Sequence, residues 1–356
     1  MKKTLWMLGV AVAALTSCTE SEVLDVPESR VIGFDTHVDK PTRAVDDVLD
    51  SETASFKVFY VYCQKGLKDA NTQSFEPEQS FVLDEVKVIG GKGNWTYNPH
   101  ATWAQNKTFR FAAYANGNAT ENSEEAILDD VTFRPGTTAE AKNWGLTISD
   151  YTVGEKDLVV AVPEEKNIGE ITTAPGSVGL LFKHILAKVE FRFIYVNGTL
   201  GETLEIEPFG FEASTVGTCE THYTGNENEI GATWTPVDIT KDGNLEYNYF
   251  EGNGVLASGN IHDVHYVIPQ SNAGLFVPKI TIKTRNANDE ITDTRTFTNV
   301  QLQIASHAFW LPGYVYRYQA ELSPNKHYIH FTTSVKRWID EDDRNQTITN
   351  GPAAGN

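Results

Sequence analysis

Three cysteines, two closely spaced histidine pairs and one arginine in a polar linker are the residues most able to do chemistry here. Cys18 follows an apolar run from Leu5 to Leu15, with only Thr16 and Ser17 between, so its thiol stands where an exported chain can be acylated. Cys63 and Cys219 sit in or beside apolar strand-like runs far apart in sequence, and read as buried free thiols in different domains rather than a disulfide. No CxxC occurs, which leaves thioredoxin chemistry and zinc ribbons unsupported. His262 and His265 are three apart, as are His327 and His330. On a helix either pair would share a metal, but in extended sequence that spacing puts the side chains on opposite faces. No metal or cofactor is therefore expected. His184, beside a hydrophobic run, reads as a core or interface histidine donating a hydrogen bond. There is no Gly-x-Ser-x-Gly elbow and no Gly-rich phosphate loop. The carboxylate pairs Glu164-Glu165 and Asp342-Asp343 read as solvated surface. No catalytic residue emerges, and the chain is not expected to be an enzyme.

Residues 1–18 read as a targeting segment: Lys2 and Lys3 form a positive start, and the apolar run is too short to span a bilayer. Leu15-Thr16-Ser17-Cys18 resembles a bacterial lipobox, which makes Cys18 the expected lipidation site and the first residue of the exported protein. The second chemical feature is the Arg43–Ala44 peptide bond. It follows Pro41 and Thr42 in a polar segment that reads as accessible to a protease. Just before it, Ile32, Phe34, Thr36 and Val38 alternate with Val31, Gly33, Asp35 and His37, the period of a strand with one buried face. Pro41 has no N–H to continue a sheet. An apolar strand followed by one basic residue has the form of a detachable piece of a sheet.

The elements that must position this piece are strands. Phe56 to Cys63, Phe81 to Ile89, Lys107 to Tyr114, Asp157 to Val162 and Gly179 to Val196 are strand-like, separated by turn clusters such as Gly90-Gly91-Lys92-Gly93-Asn94. The second half repeats the style at Leu204–Phe211, His265–Pro269, Lys279–Arg285, Arg295–Val300, Tyr314–Leu322 and His327–Trp338. Many short strands over 356 residues predict an all-β fold of two tandem β-sandwich domains. The expected boundaries are a signal peptide over 1–18 and a propeptide carrying the detachable strand over 19–43. An N-terminal sandwich over 44–178 follows, then a C-terminal sandwich over 179–339 and a flexible tail over 340–356. The Pro/Gly-bearing Thr173–Gly176 segment marks the junction. Hydrophobic content of 40% and charged content of 22% belong to a folded chain, and a formal net charge of −19 argues against nucleic acid and anionic lipid as partners.

Several pieces in one order resemble a known family. They are the lipobox, the strand ending at Thr42-Arg43-Ala44, Asn94-Trp95-Thr96-Tyr97 leading to Trp103, and the Phe182–Val189 run. Trp310-Leu311-Pro312-Gly313-Tyr314 and Val335-Lys336-Arg337-Trp338 complete the set. Together they are similar to the fimbrillin-like proteins of Bacteroidales, subunits of type V pili. The resemblance implies two transthyretin-like sandwiches and export as a lipoprotein to the outer membrane and cell surface. It also implies cleavage between Arg43 and Ala44 by an arginine-specific protease, then polymerisation with other pilus subunits by strand exchange. On that reading the membrane is touched only through the lipid on Cys18, and a host or bacterial surface receptor is a further partner. The donor end is poorly marked: after Trp338 only Thr347-Ile348-Thr349 alternates. The alternative is a monomeric surface lipoprotein that binds glycan through exposed aromatics, with Trp95, Trp103, Trp310 and Trp338 as candidates.

Overall fold

The structure is a computed structural model that describes residues 30–38, 57–91, 94–117, 127–136, 143–154, 156–173, 175–195, 202–207, 209–225, 231–237, 247–249, 254–256, 261–271, 276–302, 309–323, 329 and 331–338. Among the described residues every named element is a strand. In chain order the first six are β1 (Phe34–Val38), β2 (Val58–Lys68), β3 (Phe75–Pro77), β4 (Leu83–Gly91), β5 (Asn94–Thr96) and β6 (Lys107–Asn116). Next come β7 (Val131–Arg134), β8 (Gly145–Thr152), β9 (Leu158–Ala161), β10 (Lys166–Ile168), β11 (Val178–His184) and β12 (Ala187–Tyr195). Then follow β13 (Thr203–Ile206), β14 (Gly210–Glu212), β15 (Val216–Thr221), β16 (Ala232–Pro236), β17 (Tyr247–Tyr249) and β18 (Gly254–Leu256). The last are β19 (Ile261–Val267), β20 (Phe276–Arg285), β21 (Ile291–Gln301), β22 (Tyr314–Leu322) and β23 (Thr332–Arg337).

The largest sheet runs β1-β11-β9-β6-β2-β4-β5, with β10 on β6 and β3 on β2. One of its faces packs on the four-stranded sheet β16-β15-β8-β7, through Tyr60, Tyr62, Tyr114, Phe133, Leu146, Ile148 and Cys219. Its other face is lined by Phe59, Val61, Cys63, Phe109, Phe111, Leu180 and Phe182, and holds Ile32, Phe34, Tyr97 and Trp103. Alternation decides the partition. β2 is buried on both faces, with Phe59, Val61 and Cys63 facing one core and Val58, Tyr60 and Tyr62 the other.

Two further sheets, β19-β12-β22-β23 and β18-β13-β20-β21, face each other across a third core. Val189, Phe191, Phe193, Tyr316 and Tyr318 come from one, and Leu204, Ile206, Ile280 and Ile282 from the other. β12 pairs β22 in parallel, so these strands are joined by a crossover rather than a hairpin. β14 and β17 form a separate pair.

The chain does not divide into sheets at the expected 178/179 boundary. β11 begins at Val178 and pairs with β1 and β9, inside the first sheet. The change of sheet falls at Ile185 and Leu186, both fully buried, between β11 and β12. Moreover β15, at residues 216–221, returns to pair with β8. The Pro/Gly segment lies between β10 and β11 in the chain. This change of sheet is apolar, with no composition signal, because both residues are packed into the core between the first two sheets.

Candidate functional site

The candidate site is the seam occupied by residues 30–38. Ile32, Phe34 and Thr36 are 0%, 3% and 1% exposed, while Asp35 faces solvent. This is the dry face expected from alternation. Val38 continues the backbone ladder opposite Phe182, though its side chain lies outside the described residues.

The segment is held along two different edges. On one side β1 runs parallel to β11, pairing Phe34 with Val178 and Val38 with Phe182, and the Val178 amide donates to the Gly33 carbonyl at 2.8 Å. On the other side the preceding residues run antiparallel to the chain beyond β5. The Ile32 amide donates to Ala101 O and the Trp103 amide to Arg30 O, both at 2.9 Å, around a Val31–Thr102 bridge. The Tyr97 hydroxyl adds a hydrogen bond to Ile32 O at 2.8 Å. Burial raises the Tyr97 phenol above its ordinary value, outweighing the Ala101 hydrogen bond that lowers it. The phenol therefore stays protonated and able to donate.

These two pairings close the sheet on itself. In the ladder order Phe34 and Phe59 lie four strand spacings apart, which in a flat sheet would be about 19 Å. Their ring centroids are 5.8 Å apart. Phe34 also meets Tyr97 at 5.5 Å and Phe111 at 6.4 Å. The nine-stranded sheet thus curls until its two ends, β11 and the stretch after β5, meet across one short segment. That segment is the only described connection joining them. Burying Ile32 and Phe34 is worth roughly 1.5–3 kcal/mol each, and each backbone group stranded by their loss costs about 1–3 kcal/mol.

Cys18, Arg43 and Ala44 lie outside the described residues. Arg30 does not: it is exposed, but its carbonyl is tied to the Trp103 amide. Sequence reasoning placed Trp103 and Tyr97 near strands without seeing that they clamp residues 30–32. The one available signal was an aromatic-rich stretch, Trp95 to Trp103, with too little alternation for a long strand.

The other candidates resolve into structure. Cys63 and Cys219 are buried free thiols in two different cores, and burial raises both well above the usual thiol range. His184 is 4% exposed, with Nδ1 2.6 Å from Asp157 Oδ2, and its ring stacks on Trp338 at 3.9 Å. His262 and His265 both belong to β19, opposite Arg192 and Val189, while His327 and His330 lie outside the described residues. Of the tryptophans, Trp103 and Trp310 are buried, Trp95 packs on Phe59, and Trp338 is stacked between His184 and Tyr266. Glu165 is not solvated surface: it receives Lys68 and Arg110 Nε, and the Arg110 guanidinium lies over Phe75 and Trp144.

An all-β architecture whose first sheet is closed by a short N-terminal strand defines the class of protein. The comparisons give the family. The profile of the fimbrillin-like family matches residues 42–338, and the chain belongs to that family. Among solved structures, a fimbrial protein from Bacteroides vulgatus is 15% identical over 87% of this chain and 99% of its own, with a TM-score of 0.51, a likeness of fold. A candidate cell adhesion protein from Bacteroides ovatus is 16% identical over 88% of this chain and 99% of its own, with a TM-score of 0.47. The fimbrial anchor protein Mfa2 from Porphyromonas gingivalis is 9% identical over 86% and 98%, with a TM-score of 0.36. No curated protein matches the chain.

Proposed function

We propose that this chain is a structural and adhesive subunit of a type V pilus, exported as a lipoprotein through Cys18 and cut after Arg43. The segment from the lipidated Cys18 to Arg43 then leaves, and a strand of a neighbouring subunit takes the place of β1. Membership of the fimbrillin-like family supports a surface pilus subunit. The single observation that carries the strand-exchange reading is the double pairing of residues 30–38. A strand that joins two otherwise unpaired edges leaves an open, apolar slot when it goes, and a strand-shaped partner restores both ladders at once.

The position of the cut matters. Cleavage after Arg30 would leave β1 attached to the body, and the Arg30 carbonyl is already held by Trp103. Cleavage after Arg43 separates the whole seam segment from the rest of the chain. Once cut, the strand is no longer tethered at high local concentration and can be displaced. The partners are other pilus subunits and an arginine-specific protease, with a surface receptor for the assembled fibre. The site of action is the outer membrane and cell surface.

Arg43→Ala tests this reading. The variant is expected to stay lipidated and monomeric in cells, while the parent enters heat-resistant ladders on denaturing gels. Equal laddering from both proteins would sink the cleavage step.

A further inference from the structure

Within the seam one residue is out of keeping with its surroundings. Thr36 is 1% exposed, and its Oγ1 has no hydrogen-bond partner among the described residues. Its neighbours on the same face of the segment are Ile32 and Phe34, and it pairs with Leu180, itself fully buried between the buried Val178 and Phe182. A β-branched shape fits here, but a hydroxyl does not. Valine has nearly the outline of threonine without the polar group that must be stripped of water.

We propose that the Thr36 position is a selectivity pocket, built for an aliphatic β-branched side chain on an incoming strand, and that the resident threonine makes β1 a displaceable occupant. This rests on the strand-exchange reading above. The rest of the slot adds to the pattern. Two residues earlier it takes an aromatic ring among Phe59, Tyr97 and Phe111, and two earlier again a fully buried aliphatic side chain at Ile32. Between them a Cβ at Gly33 would come within 3.1 Å of Ser177 Oγ, so a small residue is favoured there. Asp35 faces solvent, leaving that position free. The occupant thus reads aliphatic, small, aromatic, any, aliphatic.

Residues 339–356 do not supply that pattern. From Ile339 to Asn356 no register places apolar side chains of size at three alternate positions: Ile339 is followed by Glu341 and Asp343, and Ile348 by Asn350 and Pro352. On the strand-exchange reading the occupant is a strand of another subunit that carries the matching side chains, and residues 339–356 of a second copy do not carry them.

The test uses the full chain, cut at Arg43 with an arginine-specific protease and kept as the two-piece complex. Fluorescent peptides of residues 30–38, of the same segment with Thr36→Val, and of residues 339–356 are then titrated into it, with anisotropy as the readout. The Thr36→Val peptide is expected to bind roughly tenfold tighter than the parent peptide, the effect of removing an unpaired buried hydroxyl. The tail peptide is expected to show no saturable binding. Parent and Thr36→Val peptides within about twofold of each other, well under 1.4 kcal/mol, would overturn the selectivity pocket while leaving strand exchange intact. A tail peptide that competes as well as the Thr36→Val peptide would overturn the different-subunit assignment. If neither seam peptide enters the cut protein, the strand-exchange reading fails, and this inference falls with it.

Discussion

Phe34→Ala, made in the full uncut chain, asks whether the seam is held by the contacts seen at its centre. Phe34 is 3% exposed and meets the rings of Phe59, Tyr97 and Phe111. Truncating a buried phenylalanine costs about 3–5 kcal/mol, because the transfer loss is joined by a cavity that rigid neighbours refill only in part. Two of those neighbours, Phe59 and Phe111, are fixed on β2 and β6, which pair over seven residues, so collapse into the gap is limited. The strand is short, and Ile32 is the other large described side chain holding it, worth roughly 1.5–3 kcal/mol. Losing Phe34 therefore removes more than half of the described apolar anchoring. The seam should open locally well before the sheet unfolds.

Two readouts follow. In hydrogen exchange, the amides of Ile32, Trp103 and Val178, which donate across the seam, should exchange about a hundredfold or more faster. In thiol labelling, Cys63 should become reactive while Cys219 stays inert. Both thiols are fully buried, but Cys63 belongs to the core that Phe34 covers and Cys219 to the core on the opposite side of the sheet. Unchanged exchange at those three amides, or equal labelling of both cysteines, would refute the seam as the weak closure of the first sheet.

Two other outcomes are expected. Tyr97→Phe deletes the 2.8 Å hydrogen bond to Ile32 O and leaves a buried carbonyl short of a donor. It should weaken the hold on the strand by about 1 kcal/mol, read as a several-fold faster loss of the N-terminal piece from the cut chain; an unchanged rate would show the phenol is not part of the clamp. Glu165→Gln concerns acid stability. Burial alone would raise the Glu165 carboxyl, but hydrogen bonds from Lys68 and Arg110 and their charges hold it below the usual carboxylate range. A group whose pKa is lower folded than unfolded stabilises the fold above the ordinary value of about 4 and loses that contribution as pH falls through the folded value. The melting temperature of the parent should therefore drop more steeply on acidification than that of Glu165→Gln, and parallel curves would remove Glu165 from the account.

The alternation of Ile32, Phe34 and Thr36 was legible because a strand with one wet face writes its period into the sequence. So were β12 and β22, where apolar and polar residues alternate over long stretches. Glu165 was misjudged for a related reason: a carboxylate beside another, after a proline, has no local mark of the arginine that buries it from β6. The closure of the first sheet was also invisible, since the contact between Ile32 and Ala101 joins residues about seventy positions apart and depends on the curl of seven strands. The point at which the chain changes sheet is hidden for the same reason. Ile185 and Leu186 are as apolar as the strands on either side, so nothing in composition shows where one sheet ends and another begins.

On the proposed mechanism the need for a cut has a physical reason. A tethered strand sees its slot at an effective concentration in the mM range, whereas a free competitor at μM is about a thousandfold more dilute, a handicap of roughly 4 kcal/mol. The unpaired Thr36 hydroxyl gives the competitor back only about 1–3 kcal/mol. Before cleavage the resident strand therefore keeps its place, even against a better-fitting rival. On the proposed mechanism cleavage removes the tether term, and the mismatch at Thr36 is then enough to decide the exchange. On the proposed mechanism the two terms must fall in this order. Were the resident strand a perfect fit, cutting at Arg43 would leave it bound; were it much poorer, it would be displaced before the cut.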